Sequence, residues 1–258
     1  MLTVLRILLI VAVILVFLCA PIIFFSRRNK ASIQRNIEEG LRTLKSAYQL
    51  TPVDAGEFQS IRLNALMKFD VSQYRIEELG NLSIMTVDSG VMQMLSFVVT
   101  PFEKNMPLLS NDFIYVLGGQ RALAEFYDLV SDPGTAEYQA ILSELKRSLE
   151  RYASLPDLPM KEVWYADLFT VRYTKQISDL KVSEQLFADS VASFVRQSAA
   201  LPLLSKAEQP AKKAAVCRYT EGLLTNGGPS TSVFLNALGE EKTRRFFENV
   251  MFGTGLYE

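Results

Sequence analysis

The pattern of apolar and polar positions changes period along the chain. Residues 31–50 place Ile33, Ile37, Leu41, Leu44 and Tyr48 at helical spacing, with Arg35, Glu38, Glu39, Arg42 and Lys45 between them. This predicts an amphipathic helix packing on a domain. Thr51–Gly56, with its proline and glycine, reads as a loop. From about Leu66 to Val130 the period falls to two. Met67–Val71, Tyr74–Glu78, Leu82–Val87 and Val91–Val99 are strand-like, with breaks at Gly80-Asn81 and Asp88-Ser89-Gly90. The best-defined stretch is 92–128, read as strands Met92–Pro101, Asp112–Leu117 and Arg121–Tyr127, the last two joined through Gly118-Gly119. Short consecutive strands without helices between them imply an antiparallel meander.

Helical spacing returns after the Ser131-Asp132-Pro133-Gly134 turn, over Thr135–Tyr152, Ser183–Ala199, Gln209–Leu224, Ser230–Leu238 and Glu240–Val250. A proline-punctuated segment leads to Trp164–Tyr173. Strands in the middle with helices on both sides predict one α+β domain, with a helical layer on each face of the sheet. Before it, Ile7–Phe25 is apolar throughout and at ~1.5 Å per residue matches a bilayer core of ~30 Å. It is longer than a signal-peptide core and ends in no Ala-x-Ala site, and Cys19 lacks a lipoprotein context. The expectation is one N-terminal transmembrane helix. Residues 1–30 then form an anchor with its basic flank, ahead of a domain at 31–258. Arg27, Arg28, Lys30 and Arg35 follow the span, which would keep the C-terminal domain cytoplasmic in a single-pass protein.

Charge sharpens the division. Residues 1–35 hold five basic residues and no acid, so the remainder has 22 basic against 28 acidic side chains, a net of −6. Such a domain is a poor partner for nucleic acid. The chain has no histidine, which excludes His-based triads, His-ligated zinc and His-ligated haem. Cys19 and Cys217 form no disulfide framework. The basic residues Lys206, Lys212, Lys213 and Arg218 read as a solvated helix face rather than a docking patch for an acidic partner. Asp112 stands apart, an acid among Leu108, Leu109, Phe113 and Ile114. Spacing leaves two readings open: a strand-end aspartate held by backbone amides, or an acid over a pocket whose burial raises its pKa.

The segment MPLLSNDFIYVLGGQRALAEF (106–126) resembles the ferredoxin-dependent bilin reductases, in which a Leu-Pro-Leu-Phe-x-x-Asp run leads through a strand to a Gly-Gly turn. Val98-Val99-Thr100-Pro101, Trp164–Val171 and Val233–Phe252 resemble further segments of that family, in the same order over residues 31–258. The red chlorophyll catabolite reductases, a related branch, are a second family the chain could resemble. The resemblance implies a three-layer α/β/α sandwich with a central antiparallel sheet. It also implies a linear tetrapyrrole held between the sheet and the C-terminal helices, and electrons from reduced ferredoxin with no cofactor bound in the enzyme. Asp112 falls on the family's central aspartate and would be the proton donor. Three positions depart: Ser96 stands where some members carry a histidine, Ile84 where they carry a glutamate, and Asn226-Gly227 in place of an Asn-Asp pair. Ser96, Ile84 and Asn226 would then line the substrate pocket, leaving Asp112 as the matched acid. A non-catalytic tetrapyrrole-binding or structural module on the same fold is the alternative.

Overall fold

The computed structural model describes residues 2–64, 67–159 and 162–257, with side chains from residue 19 onward. Helix α1 (Leu2–Lys45) leads into a sheet of eight strands: β1 (Leu50–Val53), β2 (Ser60–Arg62), β3 (Lys68–Ile76), β4 (Gly80–Asp88), β5 (Met92–Pro101), β6 (Leu108–Val116), β7 (Gly119–Tyr127) and β8 (Phe169–Ile177). Helix α2 (Ala136–Leu149) lies between β7 and β8. Helices α3 (Leu180–Ala200), α4 (Gln209–Asn226), α5 (Thr231–Leu238) and α6 (Glu240–Phe246) close the chain, and α6 runs on into one π-helical turn, Phe247–Met251. The sheet order is β1-β3-β4-β5-β6-β7-β8, with β2 also on β3. All its pairings are antiparallel. The meander and the α+β class therefore agree with the sequence pattern.

Because side chains alternate across a strand, the sheet buries two different cores. On the first face, Ile84, Phe97, Phe113 and Phe126 pack with Leu44 of α1, Leu145 of α2 and Phe187 of α3. Gly40 allows α1 this approach: a Cβ there would lie 2.8 Å from the Phe97 ring. On the second face, Met85, Val98 and Leu108 pack with Val216 of α4, Phe234 of α5, and Phe246 and Phe247 near the chain's end. Two buried amides tie that end down. Gln73 Nε2 donates to the Asn249 carbonyl at 2.7 Å and Asn81 Nδ2 to the Val250 carbonyl at 3.1 Å. The irregular turn's carbonyls thus find partners on the sheet.

Several expectations are corrected. The transmembrane helix is not supported: among the described residues, no helix is long and apolar enough to cross a membrane. The single-pass, cytoplasmic-side reading falls with it. Residues 7–18 of the expected span lie outside the described side chains. Its end is engaged with the domain, since Phe25 rests against Gly118 and the next turn carries buried Ser26 and Asn29. Asn29 Nδ2 donates to Gln93 Oε1 at 2.9 Å and to the Leu117 carbonyl at 3.0 Å. The basic flank is likewise used: Lys30 pairs with Asp88, and Arg35 with Glu184 at 2.6 Å. Helix α1 runs without interruption through residues 30 and 31.

Strand β6 starts at Leu108, not at Asp112, because Leu108–Asn111 continue the ladder with Tyr127–Ala124. Residues 50–53 are a strand rather than a loop; β1 and β2 are short flanking pieces that share β3, too brief to show a period. In the β6–β7 turn the left-handed backbone falls on Leu117 (φ 51°) rather than on either glycine. Lys212 is not on a solvated face. It is fully buried, and its ammonium donates to the carbonyls of Met106, at 2.6 Å, and Leu129, holding α4 to the ends of β6 and β7.

Candidate functional site

The second face of the sheet carries a cavity of about 150 Å³, roofed by α4, the start of α5 and the π turn. Its floor follows from strand register. Met85, Ser96, Asp112 and Leu123 stand side by side across β4 to β7. One row along, Ser110, Glu125 and Arg172 stand side by side across β6 to β8. The roof and walls are mostly apolar and aromatic, including Tyr165, Phe169, Tyr219, Leu223 and Phe247, with Ser230 and Thr231 at the start of α5. A few convergent polar groups in an apolar enclosure are what a small-molecule site requires.

Asp112 sits in the middle of β6, which removes the strand-end reading, and its side chain lines this cavity. Ser110 Oγ donates to Asp112 Oδ2 at 2.9 Å, and the Ser96 hydroxyl, its register partner on β5, also hydrogen-bonds to it. Burial pushes the Asp112 carboxyl above the usual carboxylate range, and the two serines oppose that shift only in part. A second acid, Glu125, is 3% exposed. Tyr127 donates its hydroxyl to Glu125 Oε2 at 2.7 Å, and Arg172 Nε donates to Oε1 at 3.0 Å. Burial again raises the carboxyl, the nearby Asp112 charge adds to the rise, and Tyr127 and Arg172 oppose it. Tyr127, Tyr165 and Tyr219 cluster with ring centroids 5.3–6.0 Å apart. Burial raises all three phenols, Tyr165 to about 12, so they remain neutral hydrogen-bonding groups.

The structure thus brings Ser96 and Asp112 together and leaves the other two expected residues elsewhere. Ile84 points to the first face and is buried in its core, one residue out of phase with Met85, which takes the floor position. Asn226 is the exposed last residue of α4. The tyrosines, Glu125 and Arg172 were missed. The signal for Glu125 was an acid between Leu123 and Tyr127 at period two, and for Arg172 a cation at the same period on β8. Two glycines bracket α5 in left-handed backbone, Gly227 (φ 82°) and Gly239 (φ 77°). The carbonyl of the first accepts from Trp164 Nε1 at 2.7 Å.

No protein-family model matches this chain, and no curated protein does. Among solved structures it is similar to phytochromobilin synthase from tomato, determined in complex with biliverdin, at 14% sequence identity and a TM-score of 0.71. The match covers 84% of this chain and 82% of the tomato chain. At that identity the likeness is one of fold. The chain has the fold of a ferredoxin-dependent bilin reductase, in agreement with what its strand and turn motifs resemble.

Proposed function

We propose that this chain is an oxidoreductase that binds a linear tetrapyrrole between the sheet and the C-terminal helices, with Asp112 as a proton donor. The observation that supports it most directly is a carboxyl group of raised pKa lining a cavity on that side of the sheet, on the fold of a biliverdin complex. Saturating one double bond takes two electrons and two protons. Reduced ferredoxin would supply the electrons singly, and an acid beside the ring system must supply a proton to the radical formed. Lys206 and Lys213, with Arg75, border an open groove of about 530 Å³, where an acidic electron donor would dock.

The cavity of about 150 Å³ is below the ~300–1,000 Å³ usual for ligand sites. A tetrapyrrole therefore needs more room between the sheet and the C-terminal helices than this cavity offers. The departures at Ser96, Ile84 and Asn226-Gly227 favour the second reading, a binding module without catalysis. Titrating the full-length chain with biliverdin and then adding reduced ferredoxin separates the two. A shifted bilin absorption band followed by bleaching supports the reductase, and tight binding without reduction, indifferent to Asp112→Asn, selects the binding module. No spectral change with any bilin removes both.

A further inference from the structure

We infer that Glu125 is the second acid of this cavity and delivers the second of the two protons that reduction of one double bond consumes. The inference rests on the reductase reading and adds a catalytic residue to it. Its basis is the geometry of β7 and its neighbours. Glu125 faces the same cavity as Asp112 and stands directly across from Ser110, whose hydroxyl is bonded to Asp112. The two carboxyl groups are therefore neighbours on one floor, close enough for the charge on Asp112 to act on Glu125.

Their settings differ in a way that suits two successive donations. Asp112 has two serine hydroxyls and, among the described residues, no ion pair. Glu125 has Arg172 on one oxygen and Tyr127 on the other. The guanidinium compensates the charge that Glu125 acquires on losing a proton. The phenol donates to the ionised carboxylate and turns to accept from the protonated one. Ionising one acid raises the other's hold on its proton, so the pair loses its protons in two steps rather than together. The balance closes: a carbon–carbon double bond gains two electrons from two one-electron donors, one proton from Asp112 and one from Glu125. Both carboxylates are then reloaded from solvent. The titratable and charged groups facing the pair are Tyr127 of β7, Arg172 of β8, Tyr165 of the preceding loop and Tyr219 of α4; Ser230 before α5, Thr231 of α5 and Phe247 of the π turn do not titrate.

The test uses the full-length chain with biliverdin and a reduced ferredoxin. Glu125→Gln is expected to keep the bilin Kd within about threefold while turnover falls roughly 10²-fold, the low end of what a general acid contributes. A one-electron bilin radical, seen by electron paramagnetic resonance, should accumulate, and one of two ionisations should vanish from the pH profile. Glu125→Asp should restore part of the rate. Should Glu125→Gln fail to fold because Arg172 is left unpaired, Glu125→Gln with Arg172→Gln removes both charges and carries the same expectation. Wild-type turnover and an unchanged pH profile in either variant overturn the inference. If the wild-type chain itself fails to bind or reduce bilin, it is the reductase reading that has failed.

Discussion

The two faces of the sheet are built from alternate residues of the same strands, yet they solve opposite problems. On β6, Asn111 and Phe113 point one way and Asp112 and Ile114 the other. Toward α1–α3, several buried polar groups bond to one another: Asn111 and Ser190 reciprocally at 2.8 and 3.1 Å, and Asn36 donates to the Tyr115 hydroxyl at 3.2 Å. The aromatic rings there interlock edge to face, Phe187 with Phe97 and Phe113 at 5.3 and 5.6 Å. Toward α4–α6, two carboxyl groups of raised pKa, an arginine and three tyrosines surround a void. Buried acids cost free energy unless they are paired or protonated. Both faces bury an apolar core, but only the second carries two buried acids beside a cavity.

The largest effect should come from the second face. Asp112→Asn keeps the shape and removes the proton, so turnover should drop by ~10²–10⁴ while bilin binding and the unfolding midpoint stay close to wild type. A large stability loss instead would make Asp112 a structural group and erase the contrast. The converse experiment is Phe97→Ala on the first face. It should cost ~3–5 kcal/mol in urea denaturation, by lost burial and the cavity left behind, with the folded fraction still binding bilin. Loss of bilin binding by the folded protein would show that the faces are not separable.

Lys212 offers a third, pH-dependent test. Burial pulls its amine from an ordinary 10.5 down to about 7. Between those values the unfolded chain binds the proton and the folded chain does not, so this group makes stability rise with pH from about 7 and fall toward neutrality. Lys212→Met should flatten that rise. It should also cost ~1–3 kcal/mol at neutral pH, because the Met106 and Leu129 carbonyls lose their donor. An unchanged slope in the variant would falsify the assignment. The smallest effect is expected for Ser96→Ala. Its hydroxyl favours the charged form of Asp112, so its removal should raise that carboxyl further and move the alkaline limit of turnover upward. The stability change should be near ~0.5–1.5 kcal/mol, one hydrogen bond.

Much of the second face was legible before the fold was known. The meander from 92 to 127 follows from period two; Asp112 stood out as an acid in an apolar run, and Ser96 entered through the family resemblance. The errors have a common form. Ile84 was assigned by alignment to a family position, but a one-residue phase difference on a strand sends a side chain to the opposite face. Lys212 was assigned by the usual habit of lysines, and only packing against the ends of β6 and β7 shows it to be a buried donor. The N-terminal helix was read from its apolar run, whereas Phe25, Ser26 and Asn29 meet β5 and the β6–β7 turn.

By itself the sequence indicated most of the strands and helices and their antiparallel order, because periodicity and turn chemistry are local properties. It singled out Asp112 but put it at the start of a strand, and its central place on β6 came from the ladder with β7. Only the tertiary structure decided that Glu125, Arg172 and Tyr219 meet Asp112. These residues come from β7, β8 and α4, and nothing in their spacing along the chain records that cross-strand register and helix docking bring them to one cavity.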